Sequence, residues 1–197
     1  MKTAVALVDF DNLEVAGIIP AKWTRYSSSS DALVLLQLLC EHLAAAAQNQ
    51  SALTRELRIR LYGGWVDEIS LLSRKAELVR SQIRFLPQRF GSLRLYSQLV
   101  LVSPYAPRHR LLGTVRLQSK PPRQKMVDGM MTCDAIYFSG LPDHNIILVS
   151  DDEDLVPACL AAAFRSDCGV SVCRSTSHRS GLNDRALRSQ GVALVAY

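Results

Sequence analysis

Residues 3–12 read TAVALVDFDN. The stretch begins with an unbroken apolar run over residues 3–8, which ends at Asp9 and is followed by Asp11 and Asn12. A run of this composition is typical of a strand buried on both faces of a sheet. Residues 145–157 read NIILVSDDEDLVP, a second apolar run that leads into Ser150 and four acidic residues. Strands of this kind occur in parallel sheets covered by helices, so the two stretches together predict an α/β fold.

Shorter apolar runs alternate with helical patterns along the rest of the chain. The pattern predicts a doubly wound, mostly parallel sheet flanked by helices. Two further strands, over residues 96–102 and 111–117, are predicted to form a β-hairpin-like insertion around 96–118 with a proline-rich tip. The other predicted strands cover 57–62, 83–86, 169–173 and 192–196, and the predicted helices cover 32–47, 67–82, 124–138, 154–164 and 182–187.

The bulk composition limits the classes of protein that fit. The chain has 197 residues, of which 48% are hydrophobic and 21% charged, as expected for one globular domain spanning 1–197. Its apolar runs fall short of the roughly 20 residues that a membrane-spanning helix needs, and its start lacks the pattern of a signal peptide. Five cysteines without a Cys-x-x-Cys pair argue against a disulfide framework or a zinc site. We therefore expect a cytoplasmic protein that does not enter a membrane.

Charge is segregated along the chain. Between Leu78 and Val127 there is no Asp or Glu but there are ten Lys or Arg, so the remainder, with 13 basic and 18 acidic residues, has a net charge of −5. A basic segment beside an acidic remainder suggests a polyanionic ligand handled by a separate acidic centre. A solvated surface is the simpler alternative. The basic residues are Arg80, Arg84, Arg89, Arg94, Arg108, Arg110, Arg116, Lys120, Arg123 and Lys125.

Aspartates follow the predicted core strands at the sheet edge where α/β folds place their sites. Asp9 ends the first strand, Asp128 lies at the start of an apolar helix, and Asp151, Asp152 and Asp154 follow the strand over 145–150. Converging carboxylates repel one another unless a cation joins them, and all-oxygen ligands suit Mg²⁺ or Mn²⁺. We expect the carboxylates of a shared ion to lie within about 4 to 8 Å of one another. The sequence leaves open which of the three adjacent acids faces the metal.

Each acidic motif also fits a simpler role. Asp11 and Asn12 can form a turn after the strand, and Ser150 with Asp151 can cap the next helix. Asp134 follows Asp128 by six residues, which is roughly 240° around a helix, so both cannot point the same way. Asp134 is therefore expected to support the ligands or to lie at the surface.

Taken together, the motifs resemble the NYN branch of the PIN-like nucleases. Asp9 and Asn12 match its opening strand and aspartate. Lys125 and Asp128 match a Lys-x-Val-Asp at a helix start. The third motif, Ser-Gly-Asp-x-Asp-Phe-x-Pro after an apolar strand, is matched by Ser150, Asp152, Asp154 and Pro157. The sequence departs from that pattern at three positions, with Asp151 for the usual Gly, Leu155 for Phe, and Phe10 for a small residue.

The resemblance implies a PIN-like, Rossmann-type fold and a hydrolase, a metal-dependent endoribonuclease acting on single-stranded or structured RNA. Mg²⁺ or Mn²⁺ would be held by Asp9, Asp128 and Asp152, with Asp154 as a further catalytic residue. Asn12, Ser150 and Lys125 would hold phosphate or the ligands. The basic segment would bind the RNA backbone through Arg108, Arg110, Arg116, Lys120 and Arg123, with Phe85, Phe90, Tyr96 and Tyr105 as candidate base-stacking groups.

Two alternatives stay open. The first is a phosphatase of the haloacid dehalogenase type, which also begins with a strand running into Asp-x-Asp. Asp9 would then be the nucleophile, Asp11 the acid/base and Lys125 the phosphate clamp, but Asn12-Leu13 replaces the residues usual after that motif. The second is a non-catalytic RNA-binding or complex-assembly subunit, with residues 96–118 as a partner-docking arm. A protein partner or a homodimer is compatible with either.

Overall fold

The chain is an α/β protein built on one mostly parallel sheet. The computed structural model describes residues 1–15, 29–65, 72–101, 126–175 and 181–196. Within these ranges seven strands lie in the order β3-β4-β2-β1-β5-β6-β7, and only β3 is antiparallel to its neighbour. The strands are β1 (Lys2–Asp9), β2 (Thr54–Tyr62), β3 (Arg89–Phe90), β4 (Leu93–Leu99), β5 (His144–Val149), β6 (Val170–Arg174) and β7 (Ala193–Ala196).

Helices cover both faces of the sheet, which is the doubly wound arrangement predicted from the sequence. Among the described residues two hydrophobic cores result, one on each face of the strand β1, which is buried from Ala4 to Asp9. The described helices are α1 (Phe10–Val15), α2 (Ser29–Gln50), α3 (Arg74–Ile83), α4 (Val127–Ser139), α5 (Val156–Arg165) and α6 (Gly181–Ser189), with a short 3-10 helix at Glu153–Leu155. No helix in the described ranges is long and apolar enough to cross a membrane.

Alternation along β1 assigns its side chains to the two cores. Ala4, Ala6 and Val8 pack with α2 and α3, whereas Val5 and Leu7 pack with α4 and α5. Side chains two residues apart on a strand point to the same face, so Asp9 points to the side of α4. This alternation of side chains between the two faces determines which polar groups lie together at the end of the sheet.

One of the predicted strands was wrong, and another lies in a different place in the fold. No strand forms over residues 83–86, because α3 continues to Ile83 and a turn follows it. The strand predicted over residues 96–102 is confirmed for 96–99, but these residues belong to β4 of the main sheet and pair in parallel with β2 rather than forming part of an insertion. Its second strand, 111–117, lies outside the described residues.

Candidate metal centre

Two neighbouring parallel strands bring the first polar groups together. Val8 of β1 lies opposite Val149 of β5, so Asp9 and Ser150 leave the sheet side by side. The Ser150 hydroxyl donates a hydrogen bond to Asp9 Oδ2 at 3.1 Å. Asn12 and Ser150 are 138 residues apart in the sequence, and they meet because the carboxyl ends of parallel strands lie at the same edge of the sheet.

Asp9 is completely buried, which is costly for a carboxylate. Asn12, in the first turn of α1, donates from its backbone N at 3.4 Å to Oδ1 and from Nδ2 at 2.5 Å to Oδ2. Burial, and then the nearby charge of Asp11, raise the pKa of Asp9 to about 6, against the lowering effect of the bonds from Ser150 and Asn12. The carboxylate therefore lacks the compensation that a cation would supply.

Asp128 comes from the opposite side, in the first turn of α4. Val127 is buried beside it and Met126 takes the left-handed conformation with φ 67°, which turns the chain into the helix. Burial raises the pKa of Asp128, and so do the charges of Asp152 and Asp154. Within the described part of the chain its Oδ1 is buried and has no hydrogen-bond partner.

The acidic side chains that follow β5 point in different directions. Asp152 donates its backbone N–H to Ser150 Oγ at 3.0 Å and faces Asp9 and Asp128. Asp151 turns to the other side, where its Oδ1 accepts from the backbone N of Ser175 at 2.8 Å, joining the ends of β5 and β6. Asp152 is therefore the acid that faces the site, which the sequence left open.

One ligand atom from each of Asp9, Asp128 and Asp152 lies within 4.8 Å of the others. This spacing agrees with the separation expected for carboxylates that share an ion. Among the described residues, every ion pair of a Lys or Arg involves an acid outside this trio. Three hard oxygen donors, one of them buried without a partner, suit Mg²⁺ or Mn²⁺.

Two further candidate acids lie outside the trio. Asp154 is exposed, and its backbone N–H donates to Asp152 Oδ1 at 2.9 Å. The structure supports its predicted catalytic role only in that its charge lies close enough to Asp128 to raise the pKa of that residue. Asp11 accepts hydrogen bonds from the Gly64 N, at 2.8 Å, and from Lys75 Nζ. The contacts of Asp11 direct it toward α3.

Asp134 is buried rather than exposed, so the surface position offered for it was wrong. It lies six residues beyond Asp128 on α4 and points to β2, as the helical geometry required. Arg60 contacts Asp134 Oδ2 through Nε at 3.0 Å and Nη2 at 2.5 Å, and the Tyr62 hydroxyl donates to the same oxygen. Sequence reasoning missed Arg60, because an arginine at an alternating position of a strand usually faces solvent.

A second missed network supports the loop that carries Asp152. Arg174, at the end of β6, contacts Glu153 at 2.9 Å and Asp184 of α6 at 3.0 Å. Asn183 also donates to Glu153. These contacts attach the residue after Asp152 to the neighbouring strand and helix. The run of four acids is the only sequence signal that pointed here, since acids so close together need partners.

The remaining predicted site residues fall outside the described ranges. They are Arg108, Arg110, Arg116, Lys120, Arg123 and Lys125. Their predicted contact with RNA stays a prediction, as does the stacking role of Tyr105.

Comparison with known proteins leaves the site to be interpreted from its own chemistry. No protein-family model matches the chain, and the search of curated proteins finds no significant match.

Proposed function

We propose that the chain is a metal-dependent ribonuclease whose Asp9, Asp128 and Asp152 hold Mg²⁺ or Mn²⁺. The observation that carries the proposal is the convergence of these carboxylates within 4.8 Å, with one buried carboxylate oxygen unpartnered in the described structure. The resemblance of the three motifs to the NYN branch of the PIN-like nucleases, and the basic segment between Leu78 and Val127, support RNA as the substrate.

The chain's own groups would hold the ligands in place for hydrolysis. Ser150 donates to Asp9 while it accepts from the Asp152 backbone N–H and from Asn12 Nδ2, so one hydroxyl fixes two of the ligands. A bound divalent ion supplies a water of lowered pKa and stabilises charge on the phosphate. Asp9, which is buried, and the half-buried Asp128 and Asp152 would hold and orient that ion.

The contacts of Asp11 favour the nuclease over the phosphatase. An acid/base residue has to reach the leaving group beside the nucleophile Asp9. Asp11 instead accepts from Lys75 and from the Gly64 backbone, at the α3 side. Lys125, the phosphate clamp of that alternative, lies outside the described residues.

The experiment that tests the proposal is cleavage of a labelled single-stranded RNA by the wild-type chain. We expect products in Mn²⁺ or Mg²⁺, none with excess EDTA, and recovery when the metal is restored, because water activation depends on the ion. Intact RNA under every metal condition, with correctly folded protein, would contradict the proposal.

A location in the cytoplasm stays a prediction.

Removal of metal should make the stability of the protein depend on pH through Asp9. Its folded pKa, about 6, exceeds the ordinary 3.8, so the folded state favours the protonated form. The contribution of Asp9 to the free energy of unfolding is therefore fully present below pH ~4 and is lost as the pH rises through ~6. For this difference between the two pKa values the loss is about 3 kcal/mol. In EDTA at pH ~7.5, Asp9→Asn should therefore unfold at higher urea concentration than wild type, and at pH ~4 the two should coincide.

Added Mn²⁺ should reverse that order at pH ~7.5, because only wild type keeps all three ligands. Asp151→Asn is the matched control, since it also removes one charge at this edge yet keeps an oxygen for the Ser175 N–H. Lower stability of Asp9→Asn than wild type in EDTA at pH ~7.5 would mean that the ionised carboxylate is already compensated without metal.

A further inference from the structure

The described helices leave one part of the sheet uncovered. On the side of α4, that helix packs over β1 and β5 and contacts β2 at Arg60 and Tyr62, and no described helix covers β4 or the start of β2 on this side. Their side chains on this side form pairs across the strands: Glu56 with Arg94, Arg58 with Tyr96, and Arg60 with Gln98. We call this surface the β2–β4 face. The residue Tyr96 is 52% exposed and the Arg58 side chain is 50% exposed, although β2 and β4 both have neighbouring strands on either side.

Two grooves adjoin at Tyr96. One, of about 560 Å³, lies on this face toward α4 and is bounded by Arg58, Arg60, Gln98 and Phe138. The other, of about 440 Å³, lies at the edge of the sheet and is bounded by Arg84, Arg89 and Arg94, with Leu86 and Leu95 from the side of α3. Tyr96 and Ser97 line both grooves, and we call the two grooves together the depression.

The charge of this depression is strongly one-sided. Among the described residues, five arginines line the two grooves and Glu56 is the one acid. Arg58 pairs with Glu56, and Arg60 pairs with Asp134. In the described part of the chain Arg84, Arg89 and Arg94 make no ion pair with a carboxylate. Cations that are not neutralised by the protein complement a polyanion.

Aromatic rings are exposed among these cations. Besides Tyr96, two rings lie at the edge of the sheet rather than on the β2–β4 face: Phe90 is 38% exposed opposite Leu93, and Phe85 is 57% exposed with the Arg84 guanidinium 4.8 Å from its ring centroid. Exposed rings between arginines are the combination by which proteins bind single strands: the rings stack on bases and the cations contact phosphates. Bases within a duplex are not available for such stacking.

The depression leads toward the candidate metal centre. Tyr62 lies opposite Asp9 in the sheet, and the Val100 backbone continues β4 beside it, donating to Leu61 O at 2.9 Å. From Tyr96 to Val100 is four residues, about 13 Å at the rise of a strand, and β4 and β1 are two strand spacings, about 10 Å, apart. Tyr96 therefore lies roughly 16 Å from Asp9 along the same face of the sheet.

We infer that the β2–β4 face binds single-stranded RNA, with the Tyr96 ring stacking on a base and Arg89 and Arg94 contacting phosphates. The role of this surface in delivering RNA to the metal centre rests on the proposed function, but the binding itself does not. This surface consists of described residues and does not include Arg108 to Lys125, whose predicted contact with RNA stays a prediction.

Binding of a labelled oligouridine of about 12 nucleotides, measured by fluorescence anisotropy in EDTA, tests the inference without any cleavage. Tyr96→Ala should weaken binding by about fivefold to a hundredfold, the range expected for the stacking of one base on one ring. Tyr96→Phe keeps the ring and should bind like wild type. Because Tyr96 is exposed, the thermal midpoint of both variants should stay near that of wild type, and that midpoint is measured alongside.

A charge-matched pair of variants tests the arginines. Arg89→Ala/Arg94→Ala should weaken binding and reduce the slope of log affinity against log salt by about 0.7 for each phosphate that is no longer neutralised. Arg185→Ala/Arg188→Ala removes the same charge from exposed positions on α6, beside β7 at the far end of the sheet, and should leave most of the affinity unchanged. Equal weakening by both pairs would overturn the inference in favour of a general charge effect.

The same experiment separates this inference from the proposed function. Cleavage of RNA by wild type in Mn²⁺, with affinity insensitive to Tyr96→Ala and to Arg89→Ala/Arg94→Ala, would overturn the binding surface and leave the nuclease. Binding that depends on Tyr96 and the two arginines, without cleavage in any metal, would support the surface and contradict the nuclease. Absence of any RNA binding by wild type would overturn the surface outright.

Discussion

Asp152→Asn is expected to abolish Mn²⁺-dependent RNA cleavage, whereas Asp151→Asn, at the preceding residue, should keep nearly the wild-type rate. Asp152 converges with Asp9 and Asp128 within 4.8 Å, while Asp151 accepts from Ser175 N on the other side. Loss of one ligand weakens the centre that stabilises the transition state, a contribution of several kcal/mol, so the rate should fall by about a thousandfold or more. Initial rates at saturating RNA measure the difference.

Asp9→Asn and Asp128→Asn should fail in the same way as Asp152→Asn, because one ion is shared by all three residues. RNA binding in EDTA should survive, since a carboxylate near phosphate only repels it. Comparable activity of Asp151→Asn and Asp152→Asn would contradict the assignment of ligands. Labelling of Asp9 by a small phosphomonoester, or its trapping by a phosphate mimic such as beryllium fluoride, with no RNA cleavage, would contradict the nuclease and favour the phosphatase.

Asp134→Ala is expected to lower the free energy of unfolding by about 3 to 5 kcal/mol, the cost of leaving one partner of a buried ion pair alone. Asp134 is fully buried, and only 10% of the Arg60 side chain is exposed. Asp167→Ala, which removes an aspartate in the turn before β6, should change stability by less than about 0.5 kcal/mol. Urea denaturation of both variants measures the two effects.

A double variant separates the ion pair from simple loss of volume. Arg60→Met/Asp134→Leu removes both charges and fills the space, so its stability should recover most of the way to wild type. Tyr62, whose hydroxyl donates to Asp134, loses that acceptor and limits the recovery. A double variant as unstable as Asp134→Ala would mean that the cost arises from packing rather than from the unpaired Arg60 charge.

Much of the fold follows from local sequence features. Buried strands such as 145–149 are apolar almost throughout, and this composition distinguishes them from the helices. The run over 83–86 was misassigned because it is too short to separate from a helix end, and burial of Val79 and Gln82 continues α3 to Ile83. The strand β4 alternates between buried and exposed residues from Leu93 onward, which is a strand pattern that the predicted start at Tyr96 did not include.

The candidate site was partly predictable for a geometric reason. Parallel strands end at one edge, so Asp9 and the acids after β5 had to be neighbours. Choosing between Asp151 and Asp152 required knowing which face α4 covers, since Leu148, Ser150 and Asp152 continue one side of β5 and Asp151 the other. The pairing of Arg60 with Asp134 joins residues 74 apart, and nothing local in either segment indicates it.

The most direct test of the metal centre is the crystal structure of the wild-type protein soaked in Mn²⁺, with the ion located by its anomalous scattering. We predict a single strong peak bound by carboxylate oxygens of Asp9, Asp128 and Asp152 at about 2.1 Å, with water completing the coordination. Asp128 Oδ1, which has no hydrogen-bond partner in the described structure, should be one of the ligand atoms. The absence of a peak between these carboxylates at saturating Mn²⁺, or an ion held by other residues, would contradict the proposed metal centre.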